Sequence, residues 1–408
     1  MNLFKKNSKK ETLSTSLRHQ FPIILNNPRI AYLDNACSTL RPQAVIDSIS
    51  NYYSTTPGCS RRASHRFGEK TTIMVEETRR LFSSFIGAKS QDEISFTKNT
   101  TEAINIISNG ITWSEEDYIV TTNIEHNSNL IPWMRIAETK AVKLKLFSVD
   151  KEGSINSQEL VTFILQNPVK LLTLHLDSHL ISTNLEIEEL IKACRKKGTL
   201  ILLDCAQSLL HRLINIQKLD VDFAAFSFHK ALGPSGMGAL YIKTESQGRI
   251  IPSQYGGDTV TNVKSGNYHL NKFPHVLEAG LQNYAGIAGV NAALKFINNV
   301  GPEQIIQQTE ELSKLLHSEL RSIRNISFLG DPKKAYPIIL FRLNNLQSDE
   351  LAKVLDTGFE LLVRSGVHCC HEWFNKNDLG PYTRASLGFY NSEEEIYRLR
   401  DALIHLSR

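Results

Sequence analysis

Lys230 closes an aromatic, apolar run, FAAFSFHK, and a glycine-rich turn, ALGPSGMG, follows it. A lysine at the end of a buried strand is costly unless its ammonium is neutralised or bonded. An imine to an aldehyde cofactor gives one reason to place it there. A surface lysine snorkelling from a strand end is the other. Asp204 ends the apolar run LILLD in LILLDCAQS. An acid at the carboxyl end of a parallel strand faces the crevice where α/β proteins bind ligands. There it can pair with a pyridinium nitrogen and keep a ring electron-poor. Gln207, one turn on, can donate to a ring oxygen. Taken alone, Asp204 also suits a helix N-cap. Thr100 and Thr101 in TKNTTEAIN sit at a helix start, either as an anion site or as plain caps. His126 in NIEHNSNLIPW can stack on a flat ring or serve as a bonded turn residue.

A second constellation lies in VRSGVHCCHEWF, which holds Arg364, His368, Cys369, Cys370 and His371. Four consecutive side chains cannot converge on one tetrahedral ion, and no second Cys/His pair has ligand spacing, so no metal is expected. A thiol among imidazoles and near Arg364 suits a nucleophile of lowered pKa. Arg384 in TRASLGFYN could clamp a carboxylate through two hydrogen bonds.

These residues need elements to position them. EISFT, DYIVTTNI, AVKLKLFSV, VKLLTLHL, TLILLDCAQ and FAAFSF read as short strands, most of them nearly continuous in apolar residues and so buried on both faces. Between them, 76–87 and TTEAINIISNGI have helical spacing, the latter opened by Thr100 or Thr101. EIEELIKACRKKG is an amphipathic helix closed by Gly198. Alternating strands and helices predict a mostly parallel α/β sheet. After about residue 300 the pattern changes. One long helix from Gly301 is followed by the strands ISFLG, PIILFRL and FELLVRSG. A last helix is capped by Ser392. The expected division is an N-terminal arm over 1–25 packing with the small domain, a large domain over 26–298 and a small α+β domain over 299–408.

The chain has 408 residues, 41% hydrophobic and 22% charged, with a net charge of +4. That near-balance asks for no nucleic acid, and no apolar run is long enough for a membrane helix. The cluster Lys5, Lys6, Lys9 and Lys10 reads as a solvated tail. A cytoplasmic location is expected. The six cysteines, with no CxxC pair, read as free thiols, most of them buried.

Together, and in this order, these segments resemble the class V aminotransferase family of pyridoxal-phosphate (PLP) fold type I. More narrowly they resemble its cysteine desulfurases and selenocysteine lyases of the Suf-type group. The resemblance runs from AYLDNACST to TRASLGFYNSEEEI, with LLDCAQS, FSFHKALGPSGMG, EHNSNLIPW and VRSGVHC the most specific pieces. It implies a seven-stranded-type large-domain sheet and pyridoxal 5'-phosphate bonded to Lys230. Asp204 would meet the pyridine nitrogen, Gln207 the ring oxygen and His126 the ring face, with a part in proton transfer. Thr100, Thr101, Ser227 and His229 would hold the phosphate. Cys369 would attack the sulfur of L-cysteine, and Arg384, with Arg364 nearby, would hold the substrate carboxylate. The resemblance also implies a homodimer and a protein that accepts sulfur from the Cys369 persulfide.

Five positions depart from the family pattern. His179 stands for an asparagine near cofactor and substrate, and Leu281 for a threonine that reaches the neighbouring subunit's phosphate. Asn99 and Phe228 replace glycines, and Arg61 replaces a histidine. His179 is expected to donate to a ring oxygen or carboxylate and to titrate near neutrality, changing the pH optimum. Two other readings remain: a selenocysteine lyase or another PLP lyase, aminotransferase or epimerase, and a non-catalytic binding or regulatory protein on the same fold.

Overall fold

The computed structural model describes residues 13–408, so the lysine cluster at 5–10 lies outside the described residues. Seven strands form the main sheet: β1 (Ile94–Thr97), β2 (Tyr118–Thr122), β3 (Lys143–Phe147), β4 (Val169–His175), β5 (Leu200–Asp204), β6 (Phe223–Ser227) and β7 (Gly238–Ile242). Their spatial order is β1-β7-β6-β5-β4-β2-β3. The five strands β3, β2, β4, β5 and β6 run parallel, and β7 is antiparallel to both of its neighbours. All residues of β5, β6 and β7 are buried, which is why their sequences lack polar alternation. The sheet is thus mostly parallel, as expected. The expectation missed β7, because GALYI directly follows the glycine-rich turn and carries two residues of weak strand character.

Two apolar cores flank this sheet. One, on the face of Val120, Leu172, Leu203 and Phe226, is closed by helices that include Arg66–Phe85, Ile187–Lys197 and Tyr284–Val300. The other packs Ile104, Ile107 and Trp133 against Ile119, Leu171, Leu202 and Ala225. The expected helix at 76–87 is the second half of Arg66–Phe85, which starts earlier where His65 Nδ1 accepts from Gly68 N. Gly198 does close Ile187–Lys197, in a left-handed conformation.

The smaller sheet holds β8 (Ile326–Leu329), β9 (Ile338–Leu343), β10 (Arg364–Gly366) and β11 (Tyr382–Ser386), in the order β8-β9-β11-β10 and all antiparallel. The expected strand FELLVRSG is split. Leu361–Leu362 pairs in parallel with Ala31–Tyr32, and only Arg364–Gly366 joins the sheet. Residues 31–34, read from sequence as part of the larger unit, are therefore bonded to the smaller one. Ala31 and Leu33 are buried in its core with Leu316, Phe341 and Leu399. In the N-terminal segment Arg18 bonds Tyr390 O and Glu395. Phe21 packs on Phe296 of the larger unit as well as on Phe389 and Tyr390. No helix among the described residues is long and apolar enough to cross a membrane.

Candidate active site

The carboxyl ends of the parallel strands open into a cavity of about 260 Å³. Such strand ends are where open α/β sheets bind ligands. Most of the residues singled out from sequence converge here: Thr100, Thr101, His126, His179, Asp204, Gln207, Ser227, His229, Lys230, Arg364 and Arg384 all line it. Cys369 does not. It lies beside the cavity, half-buried, with its Sγ 3.5 Å from Nη2 of Arg364.

Lys230 follows β6 in a single 3-10 turn, Phe228–Lys230. Burial pushes its amine down to about 8, against the pull of Asp204, while Arg384 and Arg364 lower it further. A largely buried amine near pH 8 is ready to act as a nucleophile or base. Asp204, at the end of β5, accepts from Ala206 N at 2.9 Å and does not cap a helix. Burial raises its pKa, and the amide of Ala206 and Lys230 oppose that rise. Gln207 donates to Ala36 O at 2.8 Å, which fixes its amide at the cavity wall.

The helix Thr100–Gly110 points its N-terminus at the same space. Its cap is Asn99, whose side chain accepts from Glu102 N, so neither threonine opens the helix as read from sequence. Both hydroxyls are left for other partners. Thr100 Oγ1 meets Ser227 Oγ at 2.7 Å, and Ser227 Oγ also accepts from Thr100 N at 3.0 Å. Thr101 Oγ1 meets Ser128 Oγ at 2.7 Å. Strand β7 can pass beneath this turn because Gly238 has no side chain. A Cβ there would stand 2.7 Å from Asn99 Cα and Phe226 O.

His126 accepts from Ser128 N through Nδ1, so its proton sits on Nε2. Burial and Lys230 hold its pKa down to about 3, and the ring stays neutral. It stands edge-on to His179, with centroids 4.9 Å apart. His229 is likewise held neutral, near 4, by burial and Lys230. Its Nε2 is buried without a hydrogen-bond partner among the described residues.

The structure corrects the expectation for His179. The ring is buried, and burial, His126 and Arg384 push its pKa well below the ordinary value, so it does not titrate near neutrality. Its Nε2 donates to His368 O at 3.0 Å, leaving no donor on the neutral ring for a cofactor oxygen or a carboxylate. His179 instead fastens the turn that carries Cys369. That turn puts two non-glycine residues, His368 and Cys369, at positive φ (49° and 60°). Such a conformation persists only where its surroundings impose it. Asn127 N donates to Cys369 O at 2.8 Å, and His368 Nε2 donates to Tyr382 O at 3.0 Å. The backbone is pinned while Cys369 stays half-buried, not sealed in the core.

Arg384 in β11 is 1% exposed. It is paired with Asp34 Oδ1 at 3.0 Å and donates to His179 O at 3.1 Å, while its Nε has no partner among the described residues. Cys370 is buried, and its thiol donates to Ile124 O at 3.2 Å. Burial raises its pKa well above the ordinary value, which removes it as a nucleophile. Leu281 is 65% exposed and lies away from these residues, beside a different cleft. Sequence reasoning missed Asp34, Cys37, Glu125, Ser128 and His175. Cys37, Ser128 and His175 line the cavity directly. His175 had a usable signal, since it ends the apolar strand VKLLTLH much as Asp204 ends LILLD.

These residues suit pyridoxal phosphate. The helix N-terminus, the Thr100 and Ser227 hydroxyls and the unpartnered His229 nitrogen gather donors for a phosphate. The carboxylate of Asp204 and the amine of Lys230 line the same cavity, for the ring and its aldehyde. A family model, aminotransferase class-V, matches residues 31–399. The chain belongs to this family of pyridoxal-phosphate proteins. It is 34% identical over 391 residues to a probable cysteine desulfurase of Methanothermobacter thermautotrophicus, covering 95% of this chain and 96% of the relative. It is 30% identical over 401 residues to a cysteine desulfurase of Salmonella agona, covering 96% and 98%. The solved apo structure of the cysteine desulfurase of Thermococcus onnurineus NA1 superposes with a TM-score of 0.91 at 32% identity, covering 96% and 97% of the two chains.

Proposed function

We propose that this protein is a pyridoxal-phosphate-dependent cysteine desulfurase that converts L-cysteine to L-alanine and leaves a persulfide on Cys369. The observation that carries the reading is the half-buried Cys369 thiol, pinned on a left-handed turn beside the Arg364 guanidinium at the edge of the Lys230 cavity. A transaminase or epimerase has no use for such a thiol. A binding protein has no use for a buried lysine and aspartate.

Bound in this cavity, pyridoxal phosphate supplies an electron sink that stabilises the carbanion formed at the substrate α-carbon. Thr100, Thr101, Ser227 and His229 would hold its phosphate, Asp204 would pair with the ring nitrogen, Gln207 would serve the ring oxygen and His126 would cover a ring face. Arg384, steadied by Asp34, offers its free Nε toward the substrate carboxylate, with Arg364 alongside. Lys230, once free as an amine, removes the α-proton, and its lowered pKa keeps a useful fraction neutral. The Cys369 thiolate, next to Arg364, attacks the substrate Sγ. An S–S bond forms as Cβ–Sγ breaks, and protons returned to Cβ and Cα release alanine. The persulfide then passes to an acceptor protein for iron–sulfur or thio-cofactor assembly. The enzyme works as a homodimer in the cytoplasm. The hairpin Val260–Lys264 and Asn267–Leu270, with Val263 and Tyr268 exposed, supports a second copy as its cover.

Alanine release from L-cysteine tests this reading, with Cys369→Ser and Lys230→Ala alongside. Wild type should form alanine, Cys369→Ser should keep the yellow cofactor but lose at least a hundredfold in rate, and Lys230→Ala should lose both. Full activity in Cys369→Ser would overturn the assignment.

A further inference from the structure

His175 ends β4 and is the register partner of Asp204 at the end of β5. Side chains at paired positions of parallel strands leave the sheet on the same face, and both residues line the cavity. Behind His175 lies Glu125, wholly buried. Glu125 Oε1 accepts from His175 Nδ1 at 2.8 Å and from Thr122 Oγ1 at 2.9 Å, while Oε2 accepts from Asn129 Nδ2 at 2.8 Å. The other imidazole nitrogen, Nε2, meets Thr183 Oγ1 at 3.2 Å, and this hydroxyl can accept from it as well as donate.

We infer that His175, fixed by its bond to Glu125, is a positioning residue that sets a positive charge beside Asp204 and favours that carboxylate's ionised form for the cofactor's ring nitrogen. The inference rests on the reading that pyridoxal phosphate binds with its ring at Asp204. Three carboxylates act on His175: Glu125 in direct contact, Asp204 across the strand pair, and Asp177 two residues on. Asp177 is itself bound by Arg212 at 2.6–3.0 Å. Burial opposes a charge on the ring, but Glu125, then Asp204 and Asp177, raise its pKa above the ordinary value. Lys230 and His175 both favour the Asp204 carboxylate, while burial and the Glu125 charge behind His175 oppose it. The Lys230 ammonium is consumed when that lysine bonds an aldehyde, whereas His175 keeps its place beside the carboxylate. Asp204 needs a neighbouring cation, because burial drives its carboxyl toward the neutral form, which cannot accept the ring N–H as an ion pair.

The test is equilibrium binding of pyridoxal phosphate to wild type, His175→Gln, Asp204→Asn and the double variant at pH 7. Glutamine keeps a donor for Glu125 but carries no charge. His175→Gln should weaken binding about tenfold, and the double variant should bind no more weakly than Asp204→Asn alone. If the His175→Gln loss reappears in full on the Asp204→Asn background, or if His175→Gln binds as wild type does, the inference is overturned. Should His175→Gln fail to fold, the His175 imidazole is titrated by NMR in wild type and in Asp204→Asn. Its pKa should fall when Asp204 is neutralised, and an unchanged value would refute the coupling. Failure of wild type to bind pyridoxal phosphate at all would overturn the cofactor reading along with this one.

Discussion

Arg384 shows what one buried side chain needs before it can recognise a substrate. Its guanidinium is withdrawn from water and survives because Asp34 takes one nitrogen and a main-chain carbonyl another. The remaining Nε is a donor that a carboxylate can satisfy. Lysine cannot reproduce that planar fork. Arg384→Lys should therefore raise KM for L-cysteine more than tenfold with a smaller change in kcat, as steady-state kinetics will show. His179 argues the opposite way, since a neutral ring with its only donor committed to His368 O has no titration to lend to catalysis. His179→Asn should leave the positions of the pH–rate limbs unchanged. A shift of more than half a pH unit would show that the imidazole ionises. Cys370 has no route to relay sulfur from a buried site. Cys370→Ala should transfer persulfide at the wild-type rate, measured by mass spectrometry of the acceptor thiol.

At the scale of elements, one device shapes the cavity and another braces the strand β1 at the edge of the sheet. The first is the Asn99 cap, which frees both threonines at the N-terminus of Thr100–Gly110. Asn99→Ala should cost about 1 kcal/mol of stability. The second is the buried pair of Arg79, in Arg66–Phe85, with Glu278. They meet at 2.7 and 3.0 Å, and they also hold Ile94 O and Phe96 N of β1. Burial alone would raise the Glu278 carboxyl, but Arg79 and His275 hold it down to about 2. Removing one partner strands the other charge in the interior. Arg79→Leu should lose about 3–5 kcal/mol in urea unfolding, far more than any exposed pair in the chain.

The whole molecule buries several imidazoles in neutral form. Burial pushes His126 and His368 down to about 3, and His229 and His317 to about 4. The unfolded chain binds protons at these positions near pH 6.5, whereas the folded protein does so only well below it. Stability is therefore present above pH 6.5 and is lost as pH falls toward 3–4. His368 alone contributes about 1.4 kcal/mol per pH unit in that window. His175, raised by Glu125, opposes this trend as a single group. Denaturant midpoints measured between pH 7.5 and 5 should fall steadily, and a flat profile would show that these rings are solvated.

Residue type and order alone were enough for the α/β alternation and for singling out Lys230, Asp204 and Cys369 as candidates, whose roles came from the family resemblance. Each of these is a local pattern: a polar residue ending an apolar strand, or a thiol among imidazoles. Contacts between distant segments had to be seen in three dimensions. Asp34 lies 350 residues from Arg384, Glu125 lies 50 residues from His175, and His179 lies 189 residues from the carbonyl it holds. No local spacing encodes such pairs. Whether a histidine titrates or stays neutral, and whether a thiol is nucleophile or filler, depends on burial and on the partner that arrives from elsewhere in the chain. Only the packed structure sets either of these.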